Sequence, residues 1–142
     1  MASDPITIEE LCGLGERSRH IFEASMAAAA QGHPPHPLFM QAHERVWAAA
    51  TYLVLWLHDH HRTKFPKGVD VLDKPFSREE ARAWLDRIHA RASGPALESE
   101  QRDLWKRLYA EMLNLTIVAT RRDEEAEELR TPDMKLVTPG DD

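Results

Sequence analysis

Three interruptions rich in proline and glycine cut this chain into four stretches, and each stretch repeats its apolar residues every three or four positions. The interruptions are Gly32-His-Pro-Pro-His-Pro37, the run Phe65-Pro-Lys-Gly-Val-Asp-Val-Leu-Asp-Lys-Pro-Phe76, and Ser93-Gly-Pro95. Proline lacks a backbone N–H and its ring clashes with the preceding turn, so regular helix stops at each of them. A chain of 142 residues suits one domain. The expected fold is therefore all-α, a single-domain four-helix bundle over residues 1–130 with an acidic tail over residues 131–142.

Local signals place the helices. Thr7 and Glu10 have capping-box spacing and open the first helix, whose stripe is Ile8, Leu11, Leu14, Ser18, Phe22, Ser25 and Ala29 and whose stop is Gly32. Gly13 and Gly15 each weaken its first turns by up to about 1 kcal/mol relative to alanine, so a fray or break is expected there. The second helix opens at Pro37 and runs to about Thr63 along Phe39, His43, Val46, Ala50, Leu53 and Leu57. A second capping box, Ser77-Arg-Glu-Glu80, opens the third, which reaches about Ala92 and buries Ala81, Trp84, Leu85, Ile88 and Ala92. The fourth runs from about Leu97 to Leu129 and stops at Thr131-Pro132. Glutamates crowd its C-terminal end, against the helix dipole, so its last turns are expected to fray.

The lengths do not match. At about 1.5 Å per residue the third helix spans about 22 Å, and the second and fourth about 40 Å or more. Both long helices also become apolar almost all round, at Tyr52-Leu-Val-Leu-Trp-Leu57 and at Met112-Leu-Asn-Leu-Thr-Ile-Val118. A helix that is apolar on every side is normally covered on more than one. Helix one and the connector supply that cover, or a protein partner or second copy does, through Ala48, Tyr52, Leu55 and Trp56.

Charge divides the chain unevenly. Its net charge is −6, but residues 1–122 hold 16 acidic and 16 basic residues, while residues 123–142 hold 8 and 2. The body is neutral and the end acidic, which suits a solubilising tail, a docking segment or a nucleic-acid mimic. Cys12 is the lone cysteine, so no internal disulfide forms. No basic leader followed by an apolar core opens the sequence, and the apolar run from Tyr52 to Leu57 is far below the ~20 residues of a membrane span. The expectation is a cytoplasmic protein with no membrane association.

Eight histidines invite a metal reading, with His58 and His61 at i, i+3 the nearest pair. The Glu-x-x-His repeat of di-iron bundles and any His-x-x-x-His pair are absent, and His58-Asp-His-His-Arg-Thr-Lys64 suits the negative end of a helix dipole. No metal or cofactor is expected. His58-Asp59 resembles the dipeptide that names the HD phosphohydrolases. That resemblance implies further ligands, here His33 or His36 and Asp123, but His60-His61 stands where the family has Gly-Lys. Arg82-Ala-Trp-Leu-Asp-Arg-Ile-His89 resembles the Arg-to-His spacing of HEPN ribonucleases, at its upper limit. The resemblance implies metal-independent RNA cleavage, with His89 moving the proton at the ribose hydroxyl and Arg82 stabilising phosphate charge, Asp86 lying between.

Arg62, Lys64, Lys67, Lys74, Arg78 and Arg82 follow one another through the connector into helix three, interleaved with Asp59, Asp70, Asp73, Glu79 and Glu80. With the acids turned away, these cations would track a phosphate backbone without reading bases. In length and helical make-up the chain resembles the small helical subunits of CRISPR effector complexes, and no motif carries that likeness. No catalytic motif is assembled. The expected function is that of a non-enzymatic interaction module, a subunit or regulator of a larger assembly. A nucleic-acid-contacting subunit and a HEPN-like ribonuclease are the alternatives.

Overall fold

The computed structural model describes residues 6–130 apart from Asp70 and Asp73. The expected tail, residues 131–142, lies outside the described residues. Four helices form between the interruptions: α1 (Ile8–Ala30), α2 (Pro37–His61), α3 (Arg78–Ala92) and α4 (Ser99–Arg130). Three are long and the third is short. Both capping boxes close. Glu10 N donates to Thr7 Oγ1 at 3.1 Å and Thr7 N to Glu10 Oε1 at 3.1 Å; Ser77 and Glu80 repeat the pattern at 3.0 and 3.1 Å. His36 caps α2 by accepting from Leu38 N, ahead of Pro37 at the first helical position. α2 stops at His61 because Arg62 turns left-handed, at φ 58.

Two expectations are corrected. α1 does not break at Gly13 or Gly15. A Cβ on Gly15 would lie 3.4 Å from the Ala50 Cβ, and one on Gly13 3.2 Å from Val69 Cγ1. These glycines let α2 and the connector approach closely, which outweighs their low helix propensity. Nor does α4 fray before Arg130. Arg78 pairs with Glu127 at 2.8 Å and donates its backbone N–H to Asp123 Oδ2 at 3.1 Å, so the acidic turns are held by the start of α3.

Contacts across the bundle fix its direction. Phe22 meets Trp47 and Gly15 meets Ala50, so α1 and α2 are antiparallel. Arg45 meets Glu111 and His61 meets Glu98, so α2 and α4 are antiparallel. Arg78 meets Glu127 and Arg91 meets Gln101, so α3 and α4 are antiparallel. Arg87 meets Glu10 and Arg17 meets Glu80, which makes α1 and α3 antiparallel and closes the ring. α2 and α3 therefore run the same way. The connector, residues 62–77, has to return the chain from one end of the bundle to the other, which is why it is far longer than an ordinary helix hairpin. The core it encloses centres on Leu11, Leu14, Val46, Leu53, Ile88, Trp105, Leu108, Met112 and Leu115.

Arg17 pins the end of that connector. Its side chain is 9% exposed and donates from Nε to the Lys74 carbonyl at 2.9 Å, from Nη2 to the Pro75 carbonyl at 3.2 Å, and from both terminal nitrogens to Glu80 at 3.0 and 3.1 Å. It also covers the buried Phe76 ring at 4.0 Å. Arg122 on α4 takes the next carbonyl, Phe76 O, at 2.6 Å. Beneath them His43 is 2% exposed; its Nδ1 lies 2.7 Å from Phe39 O, and its Nε2 has no partner among the described residues. Burial pushes its pKa down to about 4 from an ordinary value near 6.5.

Two stability predictions follow from this packing. Replacing Arg17 with leucine removes the donors of two part-buried bonds to connector carbonyls and leaves Glu80 without its arginine partner. We expect a loss of about 2–4 kcal/mol in urea denaturation, with Arg17→Lys recovering only part of it. His43 binds its proton only in the unfolded chain between pH 6.5 and 4, so its contribution is complete above pH 6.5 and falls away toward pH 4, by roughly 3 kcal/mol. His43→Leu should flatten the dependence of Tm on pH in that window. A second, lower window belongs to Glu10, whose carboxylate Arg87 holds at about 2, so its contribution is lost as pH falls from 4.5 to 2.

Candidate interaction surface

The periodicity of α2 gives it apolar residues on every side, and the ring order leaves one of those sides bare. α1 covers α2 at Ala50, where Gly15 approaches, and at Val54, which shares a groove with Leu11, and α4 covers it at Trp56. Ala48, Tyr52 and Leu55 fall on the remaining outer face, where Tyr52 is 65% and Leu55 46% exposed. Trp56, expected on the same face, does not belong to it. It is 8% exposed, donates its indole N–H to Glu100 at the start of α4, and stacks on His60 at 4.3 Å. One residue along a helix turns the side chain by about 100°, and that step carries Trp56 under α4.

On the α1 side the bare face drops into a groove of about 250 Å³. Leu11, Ala50 and Val54 form its floor, and Leu55, Phe65 and Val69 its lips. Phe65 is 48% exposed and stacks on His58 at 4.3 Å. The volume lies below the range of small-molecule sites and suits one or two large side chains of another protein. Cys12 lies in the same groove, its thiol pushed up by burial and by the nearby Glu16 and Glu9 carboxylates, which works against thiolate chemistry.

The other sequence-derived sites are placed as follows. Arg82, Asp86 and His89 lie exposed on α3. The His89 ring sits 5.5 Å from that of Tyr109, and none of the three lines the clefts of about 550, 250 and 430 Å³ found among the described residues. In the basic series Arg62, Lys64, Lys67, Lys74 and Arg82 are exposed, but Arg78 is engaged by Glu79 at 3.0 Å and Glu127 at 2.8 Å. Arg78 therefore holds α4 rather than standing free for a phosphate. Asp70 and Asp73 lie outside the described residues.

The histidine pair is not brought together. His58 Nδ1 meets Thr63 O at 2.9 Å, whereas His61 Nε2 meets Glu98 at 2.6 Å. No group of three or more histidine, cysteine or acidic side chains converges among the described residues. The ligands implied by the HD dipeptide are spread out too. His36 caps the opposite end of α2 from His58, about 33 Å along the helix, and Asp123 is held by Arg122 at 2.8 Å. No described helix is long and apolar enough to cross a membrane.

Two features of this surface escaped the sequence reading. The groove depends on Phe65 returning beside Leu55, which the direction of the connector decides. Arg17 lies on the apolar stripe of α1 as its one arginine, and a charged residue among Leu14, Ser18 and Ile21 was the available signal.

Comparison of the chain with protein-family models, curated proteins and solved structures finds no match.

The surface and the core separate cleanly by substitution. Tyr52→Lys and Leu55→Asp should each leave stability within about 0.5 kcal/mol, whereas Trp56→Ala should cost about 3–5 kcal/mol, measured by thermal or urea denaturation.

Proposed function

We propose that this protein is a non-enzymatic helical interaction module, a subunit or regulator that works by holding a protein partner against the outer face of α2. The observation that carries the reading is the exposure of Tyr52 and Leu55 after all four helices have packed. Ala48 between them is small enough to let another backbone approach, and the groove beside Leu55 accepts an anchoring side chain. Tyrosine is favoured at such surfaces because its ring buries apolar area while its hydroxyl keeps a hydrogen bond. The paired state of Arg78 supports this reading over a continuous phosphate-tracking series. The open position of Arg82, Asp86 and His89, outside every described cleft, supports it over a ribonuclease.

The test is positional. A photo-crosslinking residue placed at Tyr52 or Leu55 in the cells of origin should give a discrete protein adduct, and the same residue at Arg82 should not. An absence of adducts at both α2 positions, or equal labelling from Arg82, refutes the reading. A His89→Ala protein should match the wild type in any RNA-degradation assay, and loss of a wild-type activity in that variant would favour the enzyme instead.

A further inference from the structure

The bare face of α2 continues beyond Tyr52 and Leu55 as a stripe. Gln41, Arg45, Ala48, Tyr52, Leu55 and Asp59 follow one another at alternate steps of four and three residues, and all six are exposed. Those steps average about 3.5 residues, the spacing at which two helices keep one seam toward each other over several turns. The stripe runs about 27 Å along the helix. Its middle is apolar and its ends are polar with opposite sign. Arg45 stands seven residues before Tyr52 and Asp59 seven residues after it.

Charge around the stripe is balanced. Glu44 and Arg62 flank it on α2, and Asp103 and Arg107 stand beside it on α4, one acid and one base in each case, all exposed. Arg45 Nη1 lies 3.9 Å from Glu111 Oε2, and its side chain is still 53% exposed, so its guanidinium keeps a side open to solvent. A face with no net sign gives a strongly acidic or strongly basic partner nothing to select. What the face does carry is an order, cation toward one end and anion toward the other. Reversed end for end, that order complements itself.

We infer that this face pairs antiparallel with the same face of a second copy of the chain, about a two-fold axis between Ala48 and Tyr52. In such a contact every pairing occurs twice, once from each copy. Tyr52 covers Ala48 of the second copy, a large side chain on a small one. Leu55 packs on the aliphatic stem of the second copy's Arg45, whose guanidinium reaches Asp59 one turn further on. Gln41 closes each end of the seam against Asp59, and beside the seam Glu44 faces His58. A parallel pairing would set Arg45 against Arg45 and Asp59 against Asp59, so the charges choose the direction. One helix face lies at the small end of specific interfaces, which makes the dimer concentration-dependent. The inference rests on the interaction-module reading and names its partner as the chain itself.

The test is sedimentation equilibrium of the full chain, from low micromolar to about 0.5 mM, with circular dichroism to show that each variant is folded. The wild type should pass from monomer to dimer and stop there. Tyr52→Asp and Leu55→Asp should each weaken the dimer about tenfold or more. Ile117→Asp should leave it unchanged: Ile117 is 49% exposed on α4 but turned about 100° from Val118, which lines the cleft with Leu38. The decisive variants exchange the charges. Arg45→Asp and Asp59→Arg should each weaken the dimer about tenfold, and the two together should restore it to within about threefold of the wild type. The double variant still leaves an acid beside Glu111, so its recovery reports the pair across the copies alone. Failure of the double variant to recover overturns the inference, as does a dimer that Ile117→Asp dissociates or that survives both Tyr52→Asp and Leu55→Asp. A chain that stays monomeric throughout the range also overturns it. In that event a photo-crosslinked adduct at Tyr52 with a protein of another mass leaves the interaction-module reading standing, and an absence of adducts removes both.

Discussion

Arg17 holds together the part of this fold that has no secondary structure of its own. The connector reaches α3 with the carbonyls of Lys74, Pro75 and Phe76 in succession, and no backbone N–H of a helix or strand donates to them. One guanidinium from α1 takes the first two, Arg122 from α4 takes the third, and Glu80 balances the charge of Arg17 while also capping α3. These are charge-assisted, part-buried hydrogen bonds, stronger than neutral surface ones, so the two arginines decide where the connector ends. That endpoint seats Phe76 against His43 and starts α3 beside the far end of α4.

The rest of the architecture follows from that endpoint. Because α3 starts where α2 starts, the two helices run the same way, and the connector must lie along the bundle. It lies over α1, where Gly13 leaves room for Val69, and not over the outer face of α2. α2 thereby becomes a corner helix. Two of its sides are closed by α1 and α4, and among the described residues nothing covers the side bearing Ala48, Tyr52 and Leu55. The exposed apolar face is a consequence of the route of the connector, and the same route sets Phe65 beside Leu55 and shapes the groove between them.

Function enters at that corner. A bundle that only needed to be stable would place polar residues where α2 meets water, as its other exposed positions such as Glu44 and Asp59 do. Tyrosine and leucine there, flanked by a small apolar groove, form a surface with shape as well as hydrophobicity. His43 shows a related tension inside the bundle. Its ring fills a space between Phe39 and Phe76 with one nitrogen unpartnered among the described residues, so the core pays in pH sensitivity for a buried polar group.

The amino-acid sequence alone determined the helices: their number, their unequal lengths, the capping boxes at Thr7 and Ser77, and the position of Tyr52 and Leu55 as apolar residues off the main seam. These rest on interactions within a few residues, where hydrogen bonds from a cap and the 3.6-residue period act without reference to the rest of the chain. Tertiary structure decided what those helices meet. It turned Trp56 inward onto Glu100, forty-four positions away, tied Arg78 to Glu127, and kept α1 unbroken at its glycines because Ala50 and Val69 pack there. It also gave Arg17 its partners, fifty-seven to sixty-three positions distant. Such contacts depend on which end of the bundle the connector returns to. Local periodicity is the same for a helix laid in either direction, so only the packed chain could make that choice.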